Sequence, residues 1–149
     1  MKYLDKIINS SIFVILAVMV TTMACNVFCR FVLKFSIYWA DELAQSLLVW
    51  LTFLGAAVAI RESSHYSFDT IQNLLKGVTL KVYVILGNVI VIAMVLAMLY
   101  WSSIVSAGIR TWIMPAMGIS RAIIYVACPV GCIFMLIYSF RNLIKIVKS

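Results

Sequence analysis

Residues 7–29 pass without a single charged side chain, and the same is true of residues 82–107 and 122–140. A fourth apolar run, 39–60, carries charge only at its start, at Asp41 and Glu42. Each run is long enough to cross a hydrocarbon core of about 30 Å, which takes roughly 20 helical residues. Backbone amides and carbonyls inside lipid have no water to bind, so a crossing segment must pair them within itself. The four runs therefore predict four transmembrane helices, at about 7–29, 39–60, 82–107 and 122–140. The fold class is all-α integral membrane protein, a single membrane domain over residues 1–149. Composition agrees: only 11% of the chain is charged, too little to coat a soluble domain, and mean hydropathy is +1.11. No cleavable signal is expected, because the first run is longer than a signal-peptide core and no small-residue cleavage site follows it.

The net charge of +7 does not describe a nucleic-acid surface. The basic residues punctuate the apolar runs, as they do at membrane flanks. Eight of the twelve lie on one side: Lys2, Lys6, Arg61, Lys76, Lys81, Arg141, Lys145 and Lys148. Arg30, Lys34, Arg110 and Arg121 lie on the other. The richer side is expected in the cytoplasm, with both termini.

The segment between helices two and three has a helical period of its own. Phe68, Ile71, Leu75 and Val78 share one face, and Asp69, Gln72, Asn73 and Lys76 the other. Asp69 is placed to cap its start and Gly77 to end it. A short amphipathic helix at about 68–77, lying in the cytoplasmic interface, is predicted. Pro115 and Gly118 make the connection before helix four an ordered turn or re-entrant loop. Pro129 is expected to kink helix four.

Asp41 and Glu42 sit beside Trp39 at the end of helix two, where acids favour the helix dipole and tryptophan anchors at the membrane boundary. Arg30 and Lys34 are on the same side and could pair with them. Structural anchoring or subunit contact fits this position better than a buried ion path. Glu42, Gln45, Ser46, Val49, Thr52, Phe53 and Ala56 fall on one face of helix two. Lipid tails tolerate such a face poorly, so it should meet protein, either the chain's own helices or a partner's. Trp50 is deep enough to pack between helices.

Cys25 with Cys29 and Cys128 with Cys132 repeat at i, i+4, the geometry of a shared helix face. Their apolar surroundings disfavour the thiolate a metal site needs, so they read as small core residues. His65, alone beyond helix two, reads as a polar contact in the loop. There is no phosphate-binding loop, zinc spacing or nucleophile elbow. No catalytic, metal or cofactor residue is expected, and the chain is not expected to be an enzyme.

The stretch Trp39-Ala40-Asp41-Glu42-Leu43-Ala44-Gln45-Ser46-Leu47-Leu48-Val49-Trp50-Leu51-Thr52-Phe53-Leu54-Gly55-Ala56 resembles the signature of the DctQ-type small permease subunit of tripartite ATP-independent periplasmic (TRAP) transporters. Asn26 to Arg30, Arg61 with His65, and Tyr125 with Pro129-Val130-Gly131 resemble further family elements, in order. Gly118-Ile119-Ser120 departs from the family's frequent Gly-Ile-Pro, which puts the local turn geometry in question. The resemblance implies a multi-pass protein of the bacterial inner membrane. Its implied partners are a large transport subunit, a transiently bound periplasmic solute-binding protein and membrane lipid. It implies sodium-gradient-driven uptake of a carboxylate solute. Arg30, Trp39, Asp41, Glu42, Gln45, Ser46, Trp50, Arg61 and His65 are the candidate interface or docking residues. The rival readings are a small four-helix exporter, which would need an acid inside the membrane, and an assembly factor for another membrane complex. A four-helix thiol oxidase would place its cysteines in loops, not in the helices.

Overall fold

A computed structural model shows four helices: α1 (Lys2–Val32), α2 (Tyr38–Gln72), α3 (Val78–Gly108) and α4 (Ala122–Lys148). The structure describes residues 2–72 and 78–148, with side chains for residues 3, 5–62 and 82–144. All four helices are long and apolar enough to cross a membrane. They overrun the expected limits, however. α1 begins at Lys2 and not near residue 7, and α4 runs on to Lys148. The reason is that a helix does not stop where hydrophobicity stops; it stops where a cap or breaker intervenes. Neither Lys2–Lys6 nor the residues after Phe140 contain one. α2, at 35 residues, is about 52 Å long at 1.5 Å per residue, well beyond a 30 Å core.

Half of the expected interfacial helix at 68–77, residues 73–77, lies outside the described residues. Its first part has a helical backbone continuous with α2, to Gln72.

The helices do not form a square bundle. α4 packs between α2 and α3, and α1 packs mainly against α2, reaching α4 at Asp5. This gives a layer in the order α1, α2, α4, α3, with α2 and α3 standing apart on either side of α4. The core is correspondingly thin: Ile8, Ala57, Val95, Cys132, Met135 and Tyr138. Large apolar side chains such as Phe13, Phe28, Leu86 and Met94 face outward. In water that surface would drive aggregation; in a bilayer it is the solvated surface.

Helices in lipid are held by close packing, which favours small residues at crossings. Gly131 marks a close crossing of α2 and α4. A Cβ built there would lie 2.6 Å from the Phe53 Cβ and 3.3 Å from the Phe53 backbone. α4 continues through Pro129 as one helix.

The connection between α3 and α4 is ordered by backbone bonds. Ile113 and Ser120 make an antiparallel bridge. Met114 N donates to Ile119 O at 2.8 Å, and Arg121 N to Trp112 O at 2.8 Å. Gly118 closes the turn with φ of +66°, a conformation that glycine reaches without strain. Ser120 fits its place: its hydroxyl donates to Arg110 O at 2.8 Å and accepts from Ala122 N at 3.2 Å, starting α4. The departure from Gly-Ile-Pro therefore leaves the turn ordered.

Candidate functional site

The polar residues gather at the two ends of the layer, with two grooves between. At the loop end, Glu42 projects from the first turns of α2 to the α3–α4 turn. Ala116 N lies 3.2 and 3.1 Å from its two carboxylate oxygens, and Met117 N lies 2.9 Å from one of them. Two amides exposed by a tight turn thus find an ionised acceptor, a stronger arrangement than neutral pairing. Asp41 points elsewhere. Asn26, buried in the last part of α1, donates to Asp41 Oδ1 at 3.3 Å and accepts from Ile37 N at 3.0 Å. The adjacent acids therefore divide the work: Asp41 holds the α1–α2 connection, and Glu42 holds the α3–α4 turn.

Arg30 and Lys34 were open as partners for these acids, and neither base reaches an acid among the described residues. Arg30 is exposed in the last turn of α1. Lys34 takes a left-handed φ of 61° that turns the chain at the end of α1. The acids find backbone amides and an asparagine instead, because those groups are fixed near them by the loops.

The polar face of α2 also divides. Ser46 is buried and Phe53 and Ala56 pack on the core, while Gln45 and Thr52 stay exposed. Cross-helix bonding does not occur at the hydroxyls. Ser46 donates to Glu42 O at 2.7 Å and Thr52 to Leu48 O at 2.8 Å, each within its own helix. Such back-bonding hides a hydroxyl from lipid without a partner helix. Trp50 does bridge helices, its indole N–H donating to Ile123 O at 3.2 Å. Trp39 is exposed beside Ala40, which is fully buried. Gln45 makes no hydrogen bond among the described residues.

At the terminal end, Arg61 ties α1, α2 and α4 together. Its guanidinium lies 3.5 Å from Asp5 and 3.1 Å from Glu62, and donates to Asn9 Oδ1 at 3.3 Å. Its carbon lies 6.0 Å from the centre of the Tyr138 ring, and the Tyr138 hydroxyl donates to Asp5 at 2.8 Å. Asn142 adds a bond to Ile60 O at 2.9 Å. Sequence reading placed Arg61 in this region but missed Asp5, Asn9, Tyr138 and Asn142. The available signal was one acid and one base terminating two different apolar runs. The side chain of His65 lies outside the described residues.

Arg61→Leu is expected to lower the melting temperature in detergent, with a cost of about 2 kcal/mol for a partly exposed network that leaves Asp5 without its base. Arg61→Lys recovers only part of that loss, because one ammonium cannot span groups on three helices as a guanidinium fork does. Equal melting temperatures for all three proteins would show that the network adds nothing.

Two grooves flank α2. One, of about 960 Å³, runs between α1 and α2 and is walled by residues such as Met23, Val27, Phe31 and Leu48. The other, of about 600 Å³, lies between α2 and α3 with α4 as its floor, and has Glu42 and Arg121 at its mouth. Gln45 borders both. Among the described residues no acid or base lies in the middle of a span, and no group of three metal-ligating side chains occurs. Such a layer, polar at its ends and apolar along its length, defines a multi-pass membrane protein.

Comparison with known proteins specifies the class. Residues 12–149 match the family described as tripartite ATP-independent periplasmic transporters, DctQ component. The chain belongs to this family and is a small permease subunit of a TRAP transporter, a transporter component and not an enzyme. It is 23% identical over 148 residues to a putative TRAP transporter small permease protein of Haemophilus influenzae, covering 99% of this chain and 90% of that protein. It is 26% identical over 152 residues to the ectoine TRAP transporter small permease protein TeaB of Halomonas elongata, covering 98% and 77%. It is 27% identical over 159 residues to the sialic acid TRAP transporter small permease protein SiaQ of Vibrio cholerae, covering 98% and 85%. Family and fold together describe a multi-pass protein of the bacterial inner membrane, and the family implies association with a large membrane subunit and a binding protein.

Proposed function

We propose that this chain is the fixed brace of a three-part importer, covering the large transport subunit with the α1–α2 side of its layer. The observation that carries the reading is Gln45. Its amide is exposed on a membrane-spanning helix with no hydrogen-bond partner among the described residues. An unpaired amide facing hydrocarbon costs several kcal/mol on the order given by alkane transfer. A partner helix seated in the adjoining groove removes that cost by bonding Gln45 across the interface.

The chain itself is poorly equipped to carry solute. The charged groups of the described spans lie at their ends, and the four helices are unbroken. Helices that hold ions in transporters are commonly interrupted to free backbone ligands. A bundle without a ligand site has no differential binding to drive it between two states. The moving parts and the ion sites therefore belong to the large subunit.

The excess of Lys and Arg at the terminal end favours both termini in the cytoplasm and the loop end in the periplasm. Arg30, Trp39, Asp41 and Glu42 then stand where a periplasmic binding protein docks. The loops pinned by Asp41 and Glu42 present it with an ordered surface. Relatives named for sialic acid and for ectoine support a small organic solute. We assign this system a carboxylate solute and the sodium gradient as its driving force, on the strength of the family resemblance.

The test is co-purification of a tagged copy expressed with the neighbouring large-permease gene, with the chain alone as control. A stable one-to-one complex is expected, with uptake requiring both chains and a binding protein. Gln45→Leu is expected to reduce complex yield. Asp41→Ala combined with Glu42→Ala is expected to reduce uptake. A chain that purifies alone as a homodimer and transports by itself would replace this reading with the small exporter.

A further inference from the structure

The second groove differs from the first in shape and in charge. It exists because α2 and α3 both pack on α4 without closing over it. From Glu42 to Phe53 it follows α2 for about 16 Å at 1.5 Å per residue. One leaflet of a 30 Å hydrocarbon core is about 15 Å deep. The groove therefore begins at the loop-end membrane boundary and stops near the mid-plane. Its lower walls are apolar, formed by residues such as Val49, Phe53 and Met98. Its mouth holds Glu42 and Arg121, which share the groove but do not form an ion pair.

Depth limits the occupant. The groove ends near the mid-plane, so its depth is that of one leaflet and suits a molecule of that leaflet. Water is a poor filling, because the lower walls offer it few hydrogen bonds.

We propose that this groove is a binding site for one zwitterionic phospholipid of the loop-end leaflet, of the phosphatidylethanolamine type. An acyl chain lies on α4 between α2 and α3, down to Phe53. The headgroup phosphate meets Arg121, which is exposed and has no acid of its own among the described residues. A carboxylate has about four lone-pair positions. The turn amides of Ala116 and Met117 occupy part of that capacity at Glu42, and the headgroup ammonium takes another position. Two opposite charges at one mouth, each left with bonding capacity, match a headgroup that carries both. The bound lipid fills the space that the layered packing leaves open, and so stiffens the α2–α4–α3 side. The site rests on the chain spanning a membrane, not on its role in an importer.

The experiment uses the full chain in nanodiscs containing phosphatidylethanolamine with a photoreactive group in the acyl chain. Adducts are mapped by mass spectrometry. Adducts at Val49, Phe53 and Cys128 are expected in excess over those at Leu86 and Val89, which face outward on α3. Arg121→Ala is expected to reduce groove labelling roughly tenfold, the effect of losing one charge-assisted bond of about 1.5 kcal/mol. Met98→Trp, which fills the groove, is expected to reduce it as well, while labelling of Leu86 stays constant and reports that the variants are folded. Equal labelling of groove and outer face, or no response to Arg121→Ala, would overturn the site and show ordinary annular contact. Equally strong groove labelling from phosphatidylglycerol would overturn the zwitterionic assignment. Loss of groove labelling when the large subunit is co-expressed would overturn the proposal in favour of a protein occupant, and would leave the brace reading intact.

Discussion

Gly131→Ala is expected to weaken the protein more than any other single-methyl change in the spans. The added Cβ would stand 2.6 Å from the Phe53 Cβ, a separation that packed carbons do not tolerate. Neither atom sits at the end of a flexible side chain, so the strain passes into the two backbones. Overpacking of this kind costs about 1–3 kcal/mol. Because α4 is also the support for α3, moving it from α2 affects the whole layer. The expected result is a lower melting temperature in detergent and reduced yield of the folded chain. Phe53→Ala should not rescue the variant, since alanine retains the offending Cβ. Phe53→Gly should rescue it in part, since the backbone at 3.3 Å remains. Full rescue by Phe53→Ala would show that the ring, not the crossing distance, sets the limit.

Glu42→Ala is expected to release the α3–α4 turn. Three carboxylate–amide contacts are lost together, and Ala116 N and Met117 N are left without their acceptor. Two N–H donors are involved, Ala116 sharing its one between both oxygens, and a hydrogen bond to a charged group contributes about 1.5–3 kcal/mol. Hydrogen exchange at Ala116 and Met117 should accelerate strongly, while exchange in the middle of α2 stays slow. Glu42→Gln keeps one oxygen acceptor and should show an intermediate effect. Asp41→Ala should leave this turn protected and loosen the α1–α2 connection instead, because Asp41 bonds Asn26. Equal exchange at Ala116 in Glu42→Ala and in the unaltered chain would sink the assignment of Glu42 as the pin of the turn.

The contrast between these two acids shows what could be read from the chain before folding. Their position beside Trp39 predicted anchoring, and in the structure both acids hold the connections at that end of α2. Their partners could not be read. Arg30 and Lys34 were the nearest opposite charges along the chain, whereas the actual acceptor–donor pairs join Glu42 to residues 74 and 75 positions away. Helical periodicity places Ser46 and Thr52 on one face with Glu42, but only packing decides which positions turn inward. Trp50 was legible as a residue packed between helices because it lies deep in an apolar run; its acceptor, Ile123 O, was not.

By itself the sequence determined the number of crossing helices, their order and the all-α class. Long apolar runs must pair their own backbone in lipid, and that constraint acts locally, one segment at a time. The pattern in helix two was also enough to indicate the family. The tertiary structure alone decided that the helices lie as a layer with α4 between α2 and α3, that α2 and α4 cross closely at Gly131, and that Arg61 gathers Asp5, Asn9 and Tyr138. Every helix in this chain is apolar on nearly all sides, so hydrophobicity does not say which face meets which neighbour. In a membrane that choice falls to shape and to a few polar contacts between residues far apart in sequence.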